Sequence, residues 1–297
     1  MQDPKSKIQN PKSSGLWLDA WRRLRRNRAA MVAAAIFVLM LGLALLAPRI
    51  VPYGYDTQSL QDQYQPPSLK HWMGTDLKGR DLLTRVMYGA RISFAVGFAA
   101  TFVSILVGVA WGSVAGFAGG KVDNFMMRVV DILYGLPYMF VVMILMTWAG
   151  RQIIFLFVGL GLVEWLTMSR IVRGQVMSLK EQDFVMAARA LGANSGRIIM
   201  RHILPNLLGP VIVFSTLTVP RVMLSEAFLS FLGLGVQAPA ASWGTLAAEG
   251  ADATSILQTY WWLIVFPGGA LTLTLFALNF LGDGLRDALD PRLKNRQ

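Results

Sequence analysis

Six stretches of this chain are apolar for close to twenty residues each, at roughly 29–47, 92–116, 125–148, 153–168, 207–232 and 260–282. In water, so many runs would leave more greasy surface than one core can hide. In a bilayer, about twenty apolar residues cross the hydrocarbon region as one helix. Backbone groups inside lipid must be satisfied within the segment, so helices are the natural spanning form. The expected class is all-α, a polytopic membrane protein with about six transmembrane helices. Composition agrees: 54% of the 297 residues are hydrophobic and 15% charged, against about a quarter charged in soluble domains. The fourth run is short, and Pro210 and Pro220 interrupt the fifth. The first is expected to be an uncleaved anchor, because its polar leader is long and no A-x-A site follows.

Sidedness follows from where the cations fall. Six spans put both termini on one side, and short cytoplasmic segments carry an excess of Lys and Arg. Arg22, Arg23, Arg25, Arg26 and Arg28 lie before the first span, Arg170 to Arg201 fill the 169–206 loop, and Arg286, Arg292, Lys294 and Arg296 follow the last. The segment 233–259, on the other side, has neither Lys nor Arg. The expected organisation is a basic cytoplasmic segment 1–28, an anchor helix 29–47 and an external loop 48–91. A five-helix core 92–282 follows, containing the cytoplasmic loop 169–206 and the external segment 233–259, and then a cytoplasmic tail 283–297. The net charge of +11 is therefore a topology signal, not a nucleic-acid footprint.

Several chemistries are excluded early. With no cysteine there is no disulfide, thiolate metal site or cysteine nucleophile, and His71 and His202 are too few for a histidine-rich metal centre. "AGFAGGKV" (115–122) resembles a phosphate-binding loop but has Ala115 for the first glycine and Val122 for the magnesium-binding hydroxyl. It reads as a turn between spans.

The loop "MAARALGANSGRIIMRHILPN" (186–206) is more organised than a connection requires. Ala187, Ala188 and Ala190 favour helix and keep one surface thin. Gly192 is placed to end that helix, and Asn194 or Ser195 to cap another. Pro205 marks the entry to the fifth span. Two short helices make a knob suited to a groove on another protein; an amphipathic linker on the bilayer surface is the plainer reading.

This stretch resembles the signature cytoplasmic loop of binding-protein-dependent ABC importer permeases, through Ala187, Ala188, Gly192, Ile203, Leu204 and Pro205, with Arg189 among them. Met186 stands where that loop usually has glutamate. "GTDLKGRDLLTRVMYGARIS" (74–93), "GGKVDNFMMRVVDILYGLP" (119–137), "EAFLSFLGLGVQAPAASWG" (226–244) and "NFLGDGLRDALDPR" (279–292) resemble the peptide/nickel branch, most closely the C-type permease of oligopeptide importers. "LWLDAWRRLRRNRAA" (16–30) and "SRIVRGQVMSL" (169–179) are closer to its oligopeptide than its dipeptide members.

The resemblance implies a type I ABC importer permease fold in the bacterial cytoplasmic membrane. It implies a heterodimer with a second permease subunit, two cytoplasmic ATPases and an external peptide-binding protein. ATP and magnesium would then be bound by the ATPases, with no cofactor in this chain. The substrate implied is peptide, with dipeptide, nickel or haem as alternatives. An ion-coupled secondary transporter is the alternative of another class, but no inverted repeat is evident. An intramembrane enzyme would need a nucleophile–base or metal pair within the spans, for which there are few candidates.

Four ionisable residues fall inside spans, where charge is costly. Asp131 and Glu164 are expected near the cytoplasmic ends, and Arg221 and Glu226 in the outer half of the fifth span. Arg221 and Glu226 are five apart, poor spacing for a pair on one helix, so each is expected to find partners elsewhere and to serve pairing or gating. Direct contact with a passing peptide is the alternative. The 74–91 stretch suits a gate or a binding-protein contact, or simply a capped loop. Trp243 is expected as an interface anchor in an irregular or re-entrant segment.

Overall fold

The computed structural model describes residues 16–150, 152–254 and 258–289. The basic residues Arg292, Lys294 and Arg296, and the first fifteen residues, lie outside that range. Among the described residues the chain is helical apart from loops and one isolated bridge, Thr75 to Asp81.

Helix α1 (Leu16–Arg26) precedes α2 (Arg28–Ile50), with Asn27 between them. The Asn27 side chain accepts from the Ala30 amide at 3.1 Å and so starts α2 as an N-cap. After a loop comes α3 (Leu82–Ala118), then α4 (Gly120–Tyr134), α5 (Tyr138–Ala149) and α6 (Ile153–Leu179). Short α7 (Asp183–Ala190) and α8 (Ser195–Ile198) lead through a π turn, Ile199–Ile203, into α9 (Leu204–Phe231). Then α10 (Trp243–Ala253) and α11 (Trp262–Leu289) complete the chain.

Among the described residues five helical stretches are long and apolar enough to cross a membrane, and six spans result if α4 and α5 count as one. That third span is not a straight rod. It bends by 81° across Gly135-Leu136-Pro137, because a proline pushes its predecessor out of helical geometry. The fifth run, by contrast, is continuous despite Pro210 and Pro220. Ser215, Thr216 and Thr218 hydroxyls donate to the carbonyls of Val211, Ile212 and Phe214 along this stretch.

The helices outrun the apolar runs. α3 starts at Leu82 rather than near 92, because the Asp81 carboxylate accepts from the Thr84 amide and hydroxyl, both at 2.8 Å. α6 continues past 168 although Arg170 and Arg173 are charged, since each meets a carboxylate on α4. Arg173 bonds Asp123 through two parallel contacts of 2.5 Å, and Arg170 bonds Asp131 at 2.8 Å.

The bundle is built around α3 and α6, which pack along most of their length. Glycines make this possible. A Cβ on Gly112 would sit 2.4 Å from the Ser169 carbonyl oxygen, and one on Gly108 would sit 2.6 Å from the Met168 Cβ. Small residues let backbones approach closely where hydrophobic burial gives no driving force between helices. α2 lies on the other side of the bundle, against α11 and α3.

Trp243 corrects an expectation. Instead of anchoring at an interface it is fully buried, donating its indole N–H to the Val86 carbonyl at 2.9 Å. The segment around it is a short capped helix, with Ser242 and Thr245 bonding reciprocally as a capping box. A packed partner for an indole ring is not visible in local sequence.

Candidate functional site

The 186–206 loop folds as the knob its composition suggests. α7 ends in a paired hydrogen-bond motif: the Ala193 amide donates to the Ala188 carbonyl, and the Gly192 amide to the Arg189 carbonyl, each at 3.0 Å. This Schellman cap needs a left-handed residue, and Gly192 has φ +80°. Asn194 then accepts from the Arg197 amide at 2.8 Å and starts α8.

The structure divides the seven residues singled out in this loop. Ala188 and Ile203 point inward and pack with Val185, Ile198 and Leu207 onto Met168, Val172 and Val176 of α6. Leu204 is half-buried beside them. Ala187, Arg189, Gly192 and Pro205 face outward. Arg189 lies over the Phe117 ring at 5.9 Å. Sequence reasoning missed the outer tip. Leu191 is 88% exposed, with Phe184, Met186 and Met200 also uncovered. Local spacing gave no signal for it: Leu191 is three residues on from buried Ala188, which on a continuing helix would put it on the inward face. Met186, which replaces the usual glutamate, is thus part of an apolar surface.

The knob is joined rigidly to the membrane helices. Lys180, at its start, donates to the Gly116 carbonyl at the end of α3, 3.1 Å away. The π turn passes straight into α9, and such turns are common where a helix carries function.

Farther along α6 and α9 lies a cavity of about 500 Å³. Leu136 and Tyr138 at the bend of the third span line it, together with Glu164, Thr167, Arg221 and Ser225. Arg221 donates to Glu164 across 3.2 Å. Glu164 stands near the middle of α6, at the level of Arg221. Glu226 is separate. It is 1% exposed and accepts from the Ser230 and Ser242 hydroxyls, both at 2.6 Å, tying α9 to the start of α10. Neither residue pairs with the other, as their spacing suggested.

At the opposite end from the knob, the 74–91 stretch is a tight ionic cluster. Asp76 accepts from Arg80 at 2.6 Å and Arg85 at 2.7 Å, and Arg85 also reaches Glu249 of α10 at 2.6 Å. Buried guanidinium groups held by two carboxylates lock the loop to α10; this accounts for its polarity without a ligand. Among the described residues no cluster of His, Asp and Glu is arranged to hold a metal ion.

Comparisons with known proteins agree with this geometry. Residues 108–295 match the model of the binding-protein-dependent transport system inner membrane component. Residues 15–67 match the N-terminal transmembrane domain of oligopeptide transport permease C. The chain is 48% identical to the dipeptide transport system permease protein DppC of Bacillus subtilis, over 93% of this chain and 86% of that protein. It is 47% identical to the oligopeptide transport system permease protein OppC of the same organism, over 95% and 92% respectively. For OppC of Escherichia coli the identity is 48%, over 93% and 91%. The fold is similar to a chain of the MetNI methionine ABC transporter in an inward-facing conformation, with TM-score 0.54 at 17% identity, covering 68% of this chain and 94% of that one. Matches covering nearly the whole chain place this protein in the family of binding-protein-dependent transport permeases, with an OppC-type N-terminal domain.

Proposed function

We propose that this chain is one of two permease subunits of an ATP-driven importer that moves peptides across the bacterial cytoplasmic membrane. The observation that carries the reading is mechanical continuity. The knob's buried face is fused to α6 and α9, and these same helices bring Glu164 and Arg221 to the cavity. In this reading a force on the exposed tip at Leu191 passes through α6 and α9 to the place where a solute would pass.

In this reading two cytoplasmic ATPases hold the knob through Ala187, Arg189, Gly192 and the apolar tip, while Ala188, Ile203 and Leu204 keep it attached. Closure of the ATPases tilts α6 and α9 and opens the cavity outward. An external binding protein then delivers peptide, and hydrolysis returns the cavity to the inner side. ATP and magnesium are bound by the ATPases, and this chain does no covalent chemistry. Both termini lie in the cytoplasm, consistent with the cluster of arginines in and after α1.

The OppC and DppC relatives are equally similar, so likeness alone does not separate oligopeptide from dipeptide. The oligopeptide reading rests on the N-terminal domain match and the 16–30 and 169–179 stretches.

Reconstitution of the chain with its second permease and ATPases in proteoliposomes tests the proposal. Peptide uptake should require binding protein, ATP and hydrolysis. Uptake that continues with hydrolysis abolished would sink it in favour of an ion-coupled carrier.

A further inference from the structure

An apolar crevice runs between α2 and α11, at the basic end of the molecule and away from the Glu164–Arg221 cavity. It encloses about 400 Å³ and is lined by Val32, Ile36, Leu273, Phe276 and Phe280, with Arg28 at its mouth. Val32, Phe276 and Phe280 are all more than half exposed. Beside the mouth, α1 packs Ala20 and Leu24 against Ala30 and Ala288, which leaves Trp21 and the Arg22, Arg25 and Arg26 side chains outward. Arg25 sits over the Trp21 ring at 5.5 Å. Among the described residues no carboxylate forms an ion pair with Arg22, Arg25, Arg26 or Arg28.

We propose that this crevice binds one acyl chain of an anionic phospholipid, whose phosphate is held by Arg28 and its neighbouring arginines. The charge is complementary and correctly placed. The guanidinium belongs to the same crevice as the apolar walls, so a headgroup at Arg28 puts its tail between α2 and α11. An aromatic ring and several cations on one helix face are also the composition that rests at a membrane interface. A helix of the second permease is the competing occupant. Such a helix would leave Arg28 and the outward arginines of α1 without a counter-charge unless it brought a carboxylate of its own, whereas a phosphate supplies one. A phospholipid here would pin the anchor helix to α11. That the lipid comes from the inner leaflet rests on the sidedness proposed above.

The assembled complex is purified in mild detergent and titrated with phosphatidylglycerol or phosphatidylethanolamine, with bound lipid counted by native mass spectrometry. Phosphatidylglycerol should be retained preferentially. Arg28→Gln should weaken its retention about fivefold, the size expected for one cation near a charged surface. Val32→Trp, which fills the crevice without changing charge, should weaken both lipids. Equal retention of the two lipids by the native complex, or retention unchanged in both variants, overturns the proposal. Because the chain has no cysteine, Val32→Cys gives a single crosslinking site; efficient crosslinking to the second permease also overturns it, whereas crosslinking to lipid supports it. Labelling of Arg22→Cys by an impermeant maleimide from outside would refute the sidedness and leave the lipid site standing in the other leaflet.

Discussion

Arg221 on α9 and Glu164 on α6 meet at 3.2 Å on the wall of a cavity, although 57 residues separate them in the chain. The pair links the two helices that also carry the knob, so it is positioned to report or limit their relative tilt. The Glu164 side chain is largely enclosed while Arg221 is 54% exposed, so the contact is only partly shielded from solvent.

Charge reversal separates pairing from peptide contact. Arg221→Glu should leave two carboxylates facing each other and lower peptide uptake at least tenfold, with expression reduced less. The exchange Glu164→Arg with Arg221→Glu should recover a substantial part of the loss. Failure of the exchange, together with a dependence of uptake on peptide charge, would favour direct contact with the substrate.

Glu226 should behave as a structural residue. Glu226→Gln keeps an acceptor oxygen for Ser230 and Ser242, so thermal stability should change by less than about 1 kcal/mol. Glu226→Leu removes the acceptor of two buried hydroxyls, of which Ser242 keeps Thr245 as a partner, and should cost about 1–3 kcal/mol. A melting series in detergent, with uptake measured alongside, checks both.

At Gly192 the space around a new side chain is empty, so the penalty is conformational rather than steric. Gly192→Val should strain the φ +80° cap by about 1–2 kcal/mol, leave membrane insertion intact and uncouple ATP hydrolysis from uptake. Gly192→Asn, which tolerates that region better, should retain more coupling. Unchanged uptake and unchanged peptide-stimulated hydrolysis in the valine variant would count against a docking role.

Gly112 tests the bundle axis. Its Cβ would press on the Ser169 carbonyl at 2.4 Å, so Gly112→Val should force α3 and α6 apart and cost about 1–3 kcal/mol or more. Gly174, on α6 with ordinary helical backbone and open space where its Cβ would go, is the comparison: Gly174→Val should leave the bundle intact.

Asp62, in the loop between α2 and α3, gives a pH dependence. The Lys70 ammonium, and then the Ser59 hydroxyl, hold its carboxyl below the usual carboxylate range. A depressed value stabilises the loop above the unfolded value of about 4 and loses that contribution as pH falls through the folded one. The melting difference between the native chain and Asp62→Asn should therefore be small, present at pH 7 and shrinking steadily as pH falls below about 4.

Much of this protein was legible from local order in the sequence. The positions of most spans, the knob with its Gly192 cap, and the outward cations of α1 follow from patterns a few residues long, because helix formation in lipid is decided segment by segment. The bend at Pro137 is local too, yet its size depends on what the two halves pack against. Other features arise only when distant segments meet. Glu164 finds its level through Arg221, α6 extends past 168 because α4 supplies Asp123 and Asp131, and Trp243 turns inward because Val86 offers a carbonyl. A charged or aromatic side chain carries its polar group wherever a partner can satisfy it, and in a bundle that partner is chosen by packing across the fold rather than by neighbours in the chain.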